Sequence, residues 1–393
     1  MAETTQSSPS MLLQQLPEST WKNAVASLQE KGVALVELSP PSAESFKIAS
    51  SIGMIHQEGF DIARKVMDEV LSKDDRTKRF TAVMIRPHDD SAHATGFHKA
   101  GGMSRYNVHR EGFVFSDDGH QHRILSAREN KEGAESFATV FQQSMMTIFE
   151  CLHGIADCIL DEIERAMELP PHWFQDHFGP TQCSSQWHMK RFIIGTNSDD
   201  NDETKRRDTT ETGQRILLPM HTDPSLISVV IHDTSSMLSE GSKMDCSSQD
   251  RTHQGQKPTT MGLQYYDTKE SHWIDLRAQG KGSVVLATIF VGSVMSHLTR
   301  GQWPAVKHRV VDTAMCLDSF AKQRMAATLF VRPQLSALLP VPIPSPLFLA
   351  EKLGGNQPST LLFKNSTSKT KSPITFGNWL KRVAKNYEKK TKG

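Results

Sequence analysis

Five short apolar segments, Trp187–Ile194, Ile216–Ile231, Leu263–Tyr266, Ser283–Ile289 and Met325–Val331, follow one another through the second half of the chain. Polar and turn-forming stretches separate them. Short apolar runs bounded in this way build antiparallel strands, and a succession of them reads as a double-stranded β-helix, or jelly roll, which manages its edges by folding one sheet over another. Two polar insertions interrupt the pattern, residues 197–214 and 234–260, the first carrying Asp199-Asp200-Asn201-Asp202-Glu203 and Lys205-Arg206-Arg207. Neither has hydrophobic periodicity, so both are expected to be mobile surface loops, either solvated insertions or a lid over the barrel.

The first half adds helices, which makes the expected class α+β. Ser19 or Thr20 can cap a helix through Trp21, Ala24 and Leu28, with Gly32 ending it and Val33–Leu38 following as a strand before Pro40-Pro41. Phe60, Ala63, Val66, Met67 and Val70 have amphipathic helical spacing, and Phe80–Ile85 reads as a strand. From about Ala134 to Met167, apolar residues recur at helical spacing through Phe137, Phe141, Met145, Ile148, Leu152, Ile155, Ile159 and Ile163, a long helix expected to buttress the barrel. The chain thus divides into a leader expected to be disordered (1–17), an N-terminal helix and strand region (18–170), the barrel (171–335), and a Pro-rich segment with a basic tail (336–393). In the tail, Trp379, Leu380 and Val383 form a helical stripe that suits a docked terminal helix with a solvated basic face better than a membrane-surface helix.

The chemistry begins at the second apolar segment. His221-Thr222-Asp223 stands near its head, and Lys307-His308-Arg309-Val310-Val311 returns a second histidine 87 positions later. Side chains at i and i+2 of an extended strand leave the same face, so His221 and Asp223 can bind one ion from one strand end. Two neutral imidazoles with one carboxylate suit iron(II) and leave coordination positions open, whereas a closed structural zinc site leaves none.

Pro219-Met220-His221-Thr222-Asp223-Pro224-Ser225-Leu226 resembles the segment around the first two iron ligands of the plant-type 2-oxoglutarate and iron(II)-dependent oxygenases, the superfamily that includes isopenicillin N synthase. The order continues in Met261-Gly262-Leu263-Gln264-Tyr265, Trp273-Ile274-Asp275-Leu276, Gly282-Ser283-Val284-Val285, Leu298-Thr299-Arg300-Gly301-Gln302-Trp303 and His308-Arg309-Val310, so the resemblance spans roughly residues 18 to 335. It implies His221, Asp223 and His308 as iron ligands, 2-oxoglutarate as cosubstrate, and hydroxylation or desaturation of a small organic molecule by O2 with release of succinate and CO2. It also implies a cation for the far carboxylate of 2-oxoglutarate. Arg324, which opens Arg324-Met325-Ala326-Ala327, resembles that arginine, with Arg300 and Arg309 as competitors.

Two departures stand out. The family's serine two residues on is Ala326 here, which removes a hydrogen bond to a charged carboxylate worth ~1.5 to 3 kcal/mol. The family's tyrosine is missing from Met189-Lys190-Arg191-Phe192, where Lys190 or Arg191 can substitute if it faces inward. These departures keep two alternatives open, an oxidase of the isopenicillin N synthase kind that does not use 2-oxoglutarate, and a non-catalytic jelly-roll binding protein. Pro170-Pro171-His172-Trp173-Phe174-Gln175-Asp176-His177-Phe178 also resembles a family segment, with Phe174 and Phe178 expected as packing anchors. His232-Asp233 is expected as a strand-end pair far from the ion, while His88-Asp89-Asp90 and His120-Gln121-His122 are expected in surface loops.

The bulk properties set limits. A net charge of +1 gives no global pull toward nucleic acid or a membrane surface. Five scattered cysteines without C-x-x-C spacing exclude a disulfide scaffold and suggest a reducing compartment. The polar start lacks a signal peptide's apolar core, and no window reaches membrane-spanning length, so a cytoplasmic monomer is expected.

Overall fold

The structure, a computed structural model, describes residues 9–38, 43–72, 78–85, 94–100, 108–116, 124–128, 134–179, 185–193, 209–233, 259–277, 284–312, 323–339 and 374–391. In chain order these form α1 (Pro9–Gln14), α2 (Glu18–Lys31), β1 (Val33–Leu38), α3 (Ala43–Leu71), β2 (Phe80–Ala82), β3 (Gly96–His98), β4 (Arg110–Ser116), β5 (Leu125–Ala127), α4 (Ala134–Ala166) and α5 (Trp173–Phe178). The barrel strands follow as β6 (Gln186–Ile193), β7 (Ile216–His221), β8 (Ile227–His232), β9 (Thr259–Asp267), β10 (His272–Arg277), β11 (Val284–Val291), β12 (His308–Val311) and β13 (Gln323–Val331). A short helix, Ser293–Leu298, leaves β11, and the pair β14 (Leu338–Leu339) and β15 (Ile374–Thr375) leads into a final helix, Phe376–Thr391.

The barrel strands alternate between two antiparallel sheets. The larger runs β1-β11-β8-β13-β6-β4-β3 and the smaller β10-β9-β12-β7, so the chain crosses from sheet to sheet as it winds. This winding is the double-stranded β-helix. Because side chains alternate across a strand, every barrel strand feeds two environments. The outer face of the large sheet, with Met189, Val229, Ile231, Met325, Ala327 and Leu329, joins the helices in one core, while Phe192, Leu217, Val230, Leu263, Phe290, Val310 and Ala326 form a second core inside the barrel.

The helix α4 lies across the outer side of β8 and β13, as its buried stripe from Phe141 to Ile163 requires. Residues 9–14 of the expected leader form α1, which packs on α4 and buries Leu13. Pro17, rather than Ser19 or Thr20, precedes α2, and no side-chain cap bond forms there. Gly32 does end that helix, with φ 73, a left-handed conformation in which any Cβ would also strike the Pro304 carbonyl oxygen at 2.0 Å. Phe174 and Phe178 are buried packing residues of α5. In the tail, Phe376, Trp379, Leu380 and Val383 are buried against the main core, so the final helix is docked.

Most of both polar insertions, the Pro-rich segment, His88-Asp89-Asp90 and His120-Gln121-His122 lie outside the described residues. At the end of the first insertion, residues 209–214 form a tight turn closed by Thr210 and Gln214, and Thr259-Thr260 of the second already belong to β9. Among the described residues no helix is long and apolar enough to cross a membrane.

Candidate metal centre

The apolar segment Ile216–Ile231 is two strands, because Pro224 and the turn around it break the run between β7 and β8. His221 therefore ends β7, and Asp223 lies just past the strand rather than within it. The return strand β12 begins at His308, which stands directly across from His221 in the register. Their rings are 4.3 Å apart, and Phe290 from β11 stacks on the far side of His308 at 4.2 Å.

Asp223 is fixed by its own backbone. Its carbonyl oxygen accepts hydrogen bonds from the Ser293 N–H at 2.8 Å and the Ser293 hydroxyl at 3.0 Å, where the short helix begins. Gly292 makes this approach feasible, since a Cβ there would lie 1.9 Å from the Ser225 carbonyl oxygen. The result aims the carboxylate between the two imidazoles, with Oδ1 at 3.5 Å from His221 Nε2 and Oδ2 at 3.6 Å from His308 Nε2. One ligand atom from each of the three residues lies within 4.8 Å of the others, the only group of metal-binding type found among the described residues.

The protonation states suit a cation. His221 Nδ1 lies 2.8 Å from the Pro219 carbonyl oxygen and His308 Nδ1 lies 3.4 Å from that of Val306. These carbonyls favour the Nδ1–H tautomer and leave both Nε2 lone pairs facing Asp223. Burial drives His308 down to about 4 against the pull of Asp223, so its imidazole is neutral at pH 7. Burial also pushes the Asp223 carboxyl up, but His308, His221 and Lys190 together outweigh it and hold the group well below the usual carboxylate range.

Deeper in the barrel, Arg324 is only 2% exposed, with its guanidinium 4.7 Å from the Phe192 ring centre. One nitrogen, Nη2, meets His232 Nδ1 at 3.3 Å, while Nε and Nη1 are buried without a partner. Burial lowers Arg324 to about 9, so it remains a cation at neutral pH. A buried guanidinium with open donors leaves desolvated N–H groups unsatisfied unless an anion arrives. The competing arginines are placed otherwise. Arg309 turns to the opposite face of β12 from His308, where it lies over Trp273 and bonds Gln264, and Arg300 is an exposed turn residue.

Strand parity also separates the two candidates on β6. Lys190 faces Ala326 on the inner side, whereas Arg191 faces outward and pairs with Glu111 at 2.7 Å and with Asp68 of α3. Lys190 Nζ reaches the Phe330 ring, 4.8 Å from its centre. His232, expected as a strand-end residue remote from the ion, ends β8 and there forms part of the deep pocket, opposite Ala326 and 3.3 Å from the Thr288 hydroxyl. His98 also faces inward, as do His188 and Arg332, which the sequence did not single out. The latter two lie at even spacing from Lys190 and Arg324, so parity along strands of known register could have found them.

No protein-family model matches the chain, and no curated protein matches it. Solved structures do. A full-length Neurospora crassa protein in complex with alpha-KG is 12% identical with a TM-score of 0.55, covering 93% of this chain and 91% of that one. The same protein with alpha-KG and 5-formyluracil gives 13% and 0.54, covering 83% and 82%. JOX2 in complex with 2OG, Fe and JA is 13% identical with a TM-score of 0.50, covering 93% of this chain and 81% of that one. At these identities the shared property is the fold, and the chain has the double-stranded β-helix fold of these proteins across nearly its whole length.

Proposed function

We propose that this chain is an iron(II)- and 2-oxoglutarate-dependent oxygenase that hydroxylates or desaturates a small organic molecule, converting 2-oxoglutarate and O2 to succinate and CO2. The observation that carries this reading is the pairing, inside one barrel, of the His221, Asp223 and His308 cluster with a buried guanidinium whose donors are open. In this role His221, Asp223 and His308 hold the iron, and Arg324 holds the far carboxylate of the cosubstrate. Iron and 2-oxoglutarate, when bound, supply the oxidising chemistry.

The protein's own contribution is geometry and dryness. Asp223 partly neutralises the cation, and the two carbonyl-anchored imidazoles keep their orientation. The inner apolar core excludes water around them. His232 and Thr288 form the polar end of the deep pocket and supply hydrogen-bonding capacity where Ala326 has none. The Neurospora crassa protein with alpha-KG and JOX2 with 2OG share this fold, which supports the same cosubstrate here. An open Arg324 also favours this reading over an oxidase that dispenses with 2-oxoglutarate.

Anaerobic titration with iron(II) and 2-oxoglutarate tests the assignment. The wild type is expected to develop the visible charge-transfer band of a chelated 2-oxo acid, and Arg324→Ala should need much more cosubstrate to reach it. A normal titration in Arg324→Ala would remove that residue from its role, and a wild type without the band would refute the cosubstrate.

A further inference from the structure

Positive charge inside the barrel exceeds what the proposed cofactors use. In the oxygenase reading, the two charges of iron(II) are matched by Asp223 and the chelating carboxylate of 2-oxoglutarate, and Arg324 matches the far carboxylate. Arg332 is left over, and so is Lys190, expected from the sequence to stand in for the family's tyrosine beside Arg324, because its Nζ lies over the Phe330 ring, six residues along β13 from Arg324. Both are inward-facing basic groups, and neither has a carboxylate within ion-pairing distance among the described residues; burial lowers Arg332 to about 10, which leaves it a cation at neutral pH, and pushes Lys190 well below its ordinary value, so that the charged form of Lys190 is favoured by an anion beside it. For Arg332 the hydrogen-bond partner is the Gln186 side chain at 2.6 Å, and its Nε is buried without a partner. Arg110 of β4 adds a further positive charge close enough to act on Lys190 and His98.

Lys190 and Arg332 are gathered at one place. Lys190 Nζ is 4.8 Å and the Arg332 guanidinium carbon 5.4 Å from the centre of the Phe330 ring, and His188 meets the same ring edge-on at 5.1 Å. Phe330 pairs with Ser228, and Val331 accepts the Leu226 N–H, so this cluster sits at the end of β13 where the chain leaves the Asp223 turn. Arg324 is the second residue of the same strand, six residues before Phe330 and roughly 20 Å away along it. The Phe330 end of the cluster is thus on the metal side of the barrel, and Lys190, opposite Ala326 in the register, reaches it from the level of the deep pocket. Beside it, His98 and His188 have all four ring nitrogens buried without partners. Burial drives His98 down to about 3 and His188 well below its ordinary value, so both are neutral at pH 7 and can donate or accept.

Unpaired buried cations cost free energy that an arriving anion offsets, and pockets orient ligands with a few such convergent groups. We propose that the organic substrate is an acid whose carboxylate, or an equivalent anionic group, is held by Lys190 and Arg332 around Phe330, with His98 and His188 completing its hydrogen bonds. This rests on the oxygenase reading and adds the substrate class to it.

The test uses the protein loaded anaerobically with iron(II) and 2-oxoglutarate. Benzoate, hexanoate and 3-phenylpropionate are each titrated against the corresponding primary amide by calorimetry, while the charge-transfer band is recorded. Acids are expected to bind at least about tenfold more tightly than their amides, and that preference should vanish in Arg332→Gln and Lys190→Met. A persisting band shows that the variants remain folded and loaded. Acids no tighter than amides, a preference that survives both substitutions, or acids that abolish the band by displacing 2-oxoglutarate would each overturn the proposal. A wild type that never forms the band refutes the oxygenase reading itself, and the substrate class falls with it.

Discussion

Asp223 is the residue on which the centre turns, because both imidazoles face its carboxylate. Asp223→Ala or His308→Ala should weaken iron(II) binding at least about 100-fold, measured by competition with a chromophoric chelator, since direct ligands matter more than the outer partners whose loss costs about 10- to 100-fold. Retention of wild-type affinity in either variant would contradict the assignment. Around Arg324 the expected effects are smaller. His232→Ala removes the neighbour of Nη2 and should raise the 2-oxoglutarate dissociation constant about tenfold, a hydrogen bond to a charged group being worth ~1.5 to 3 kcal/mol. An unchanged constant would leave His232 with a packing role. The metal cluster was legible because H-x-D followed by a distant histidine is a local pattern set among strand signals. The inner cations were not, because Lys190 and Arg191 are adjacent in sequence and only the register with β13 decides which one faces the barrel.

At the scale of elements, α3 is tied to the outside of the large sheet by two half-exposed ion pairs that extend a buried one between β6 and β4. Arg191 of β6 binds Glu111 of β4 and Asp68 of α3, and Arg64 of α3 binds Asp233 at the end of β8. Removing one partner of a buried pair strands the other, at a cost of ~3 to 5 kcal/mol. Glu111→Ala should therefore lower the urea midpoint by a corresponding amount, and an unchanged midpoint would show that Arg191 relies on Asp68 alone. Helix α4 was legible almost to the residue, since its buried stripe from Phe141 through Ile163 keeps a regular helical period. The split between β7 and β8 was not, because apolar residues on both sides of Pro224 blur a turn that tertiary contacts with Ser293 and Gly292 define. The start of α3 was missed although Ile48, Ile52 and Ile55 keep the helical spacing that Phe60 to Val70 continue.

For the whole molecule, buried histidines of the barrel and of α4 couple stability to pH. His98 is lowered to about 3 and His153 to about 4 by burial, and His188 and His232 are also held well below the ordinary value of 6.5. A depressed folded pKa means that the unfolded chain binds more protons below pH 6.5, so stability is full above that value and falls as pH drops toward the folded pKa values. The metal-free protein should lose about 1 kcal/mol or more per buried histidine between pH 7 and 5, read as a falling urea midpoint. A flat profile over that interval would show that these rings are solvated. In the proposed reading, the barrel carries its iron ligands at one end and Arg324 at the other, and that claim is open to a measurement needing no knowledge of the substrate. With iron(II), air, ascorbate as the two-electron donor in place of a substrate, and 2-oxoglutarate isotopically labelled in its 2-oxo carboxylate, the wild type should release labelled CO2 slowly and form succinate in equal amount, whereas Asp223→Ala should release none above background. No release by the wild type, or equal release by the variant, would contradict the account.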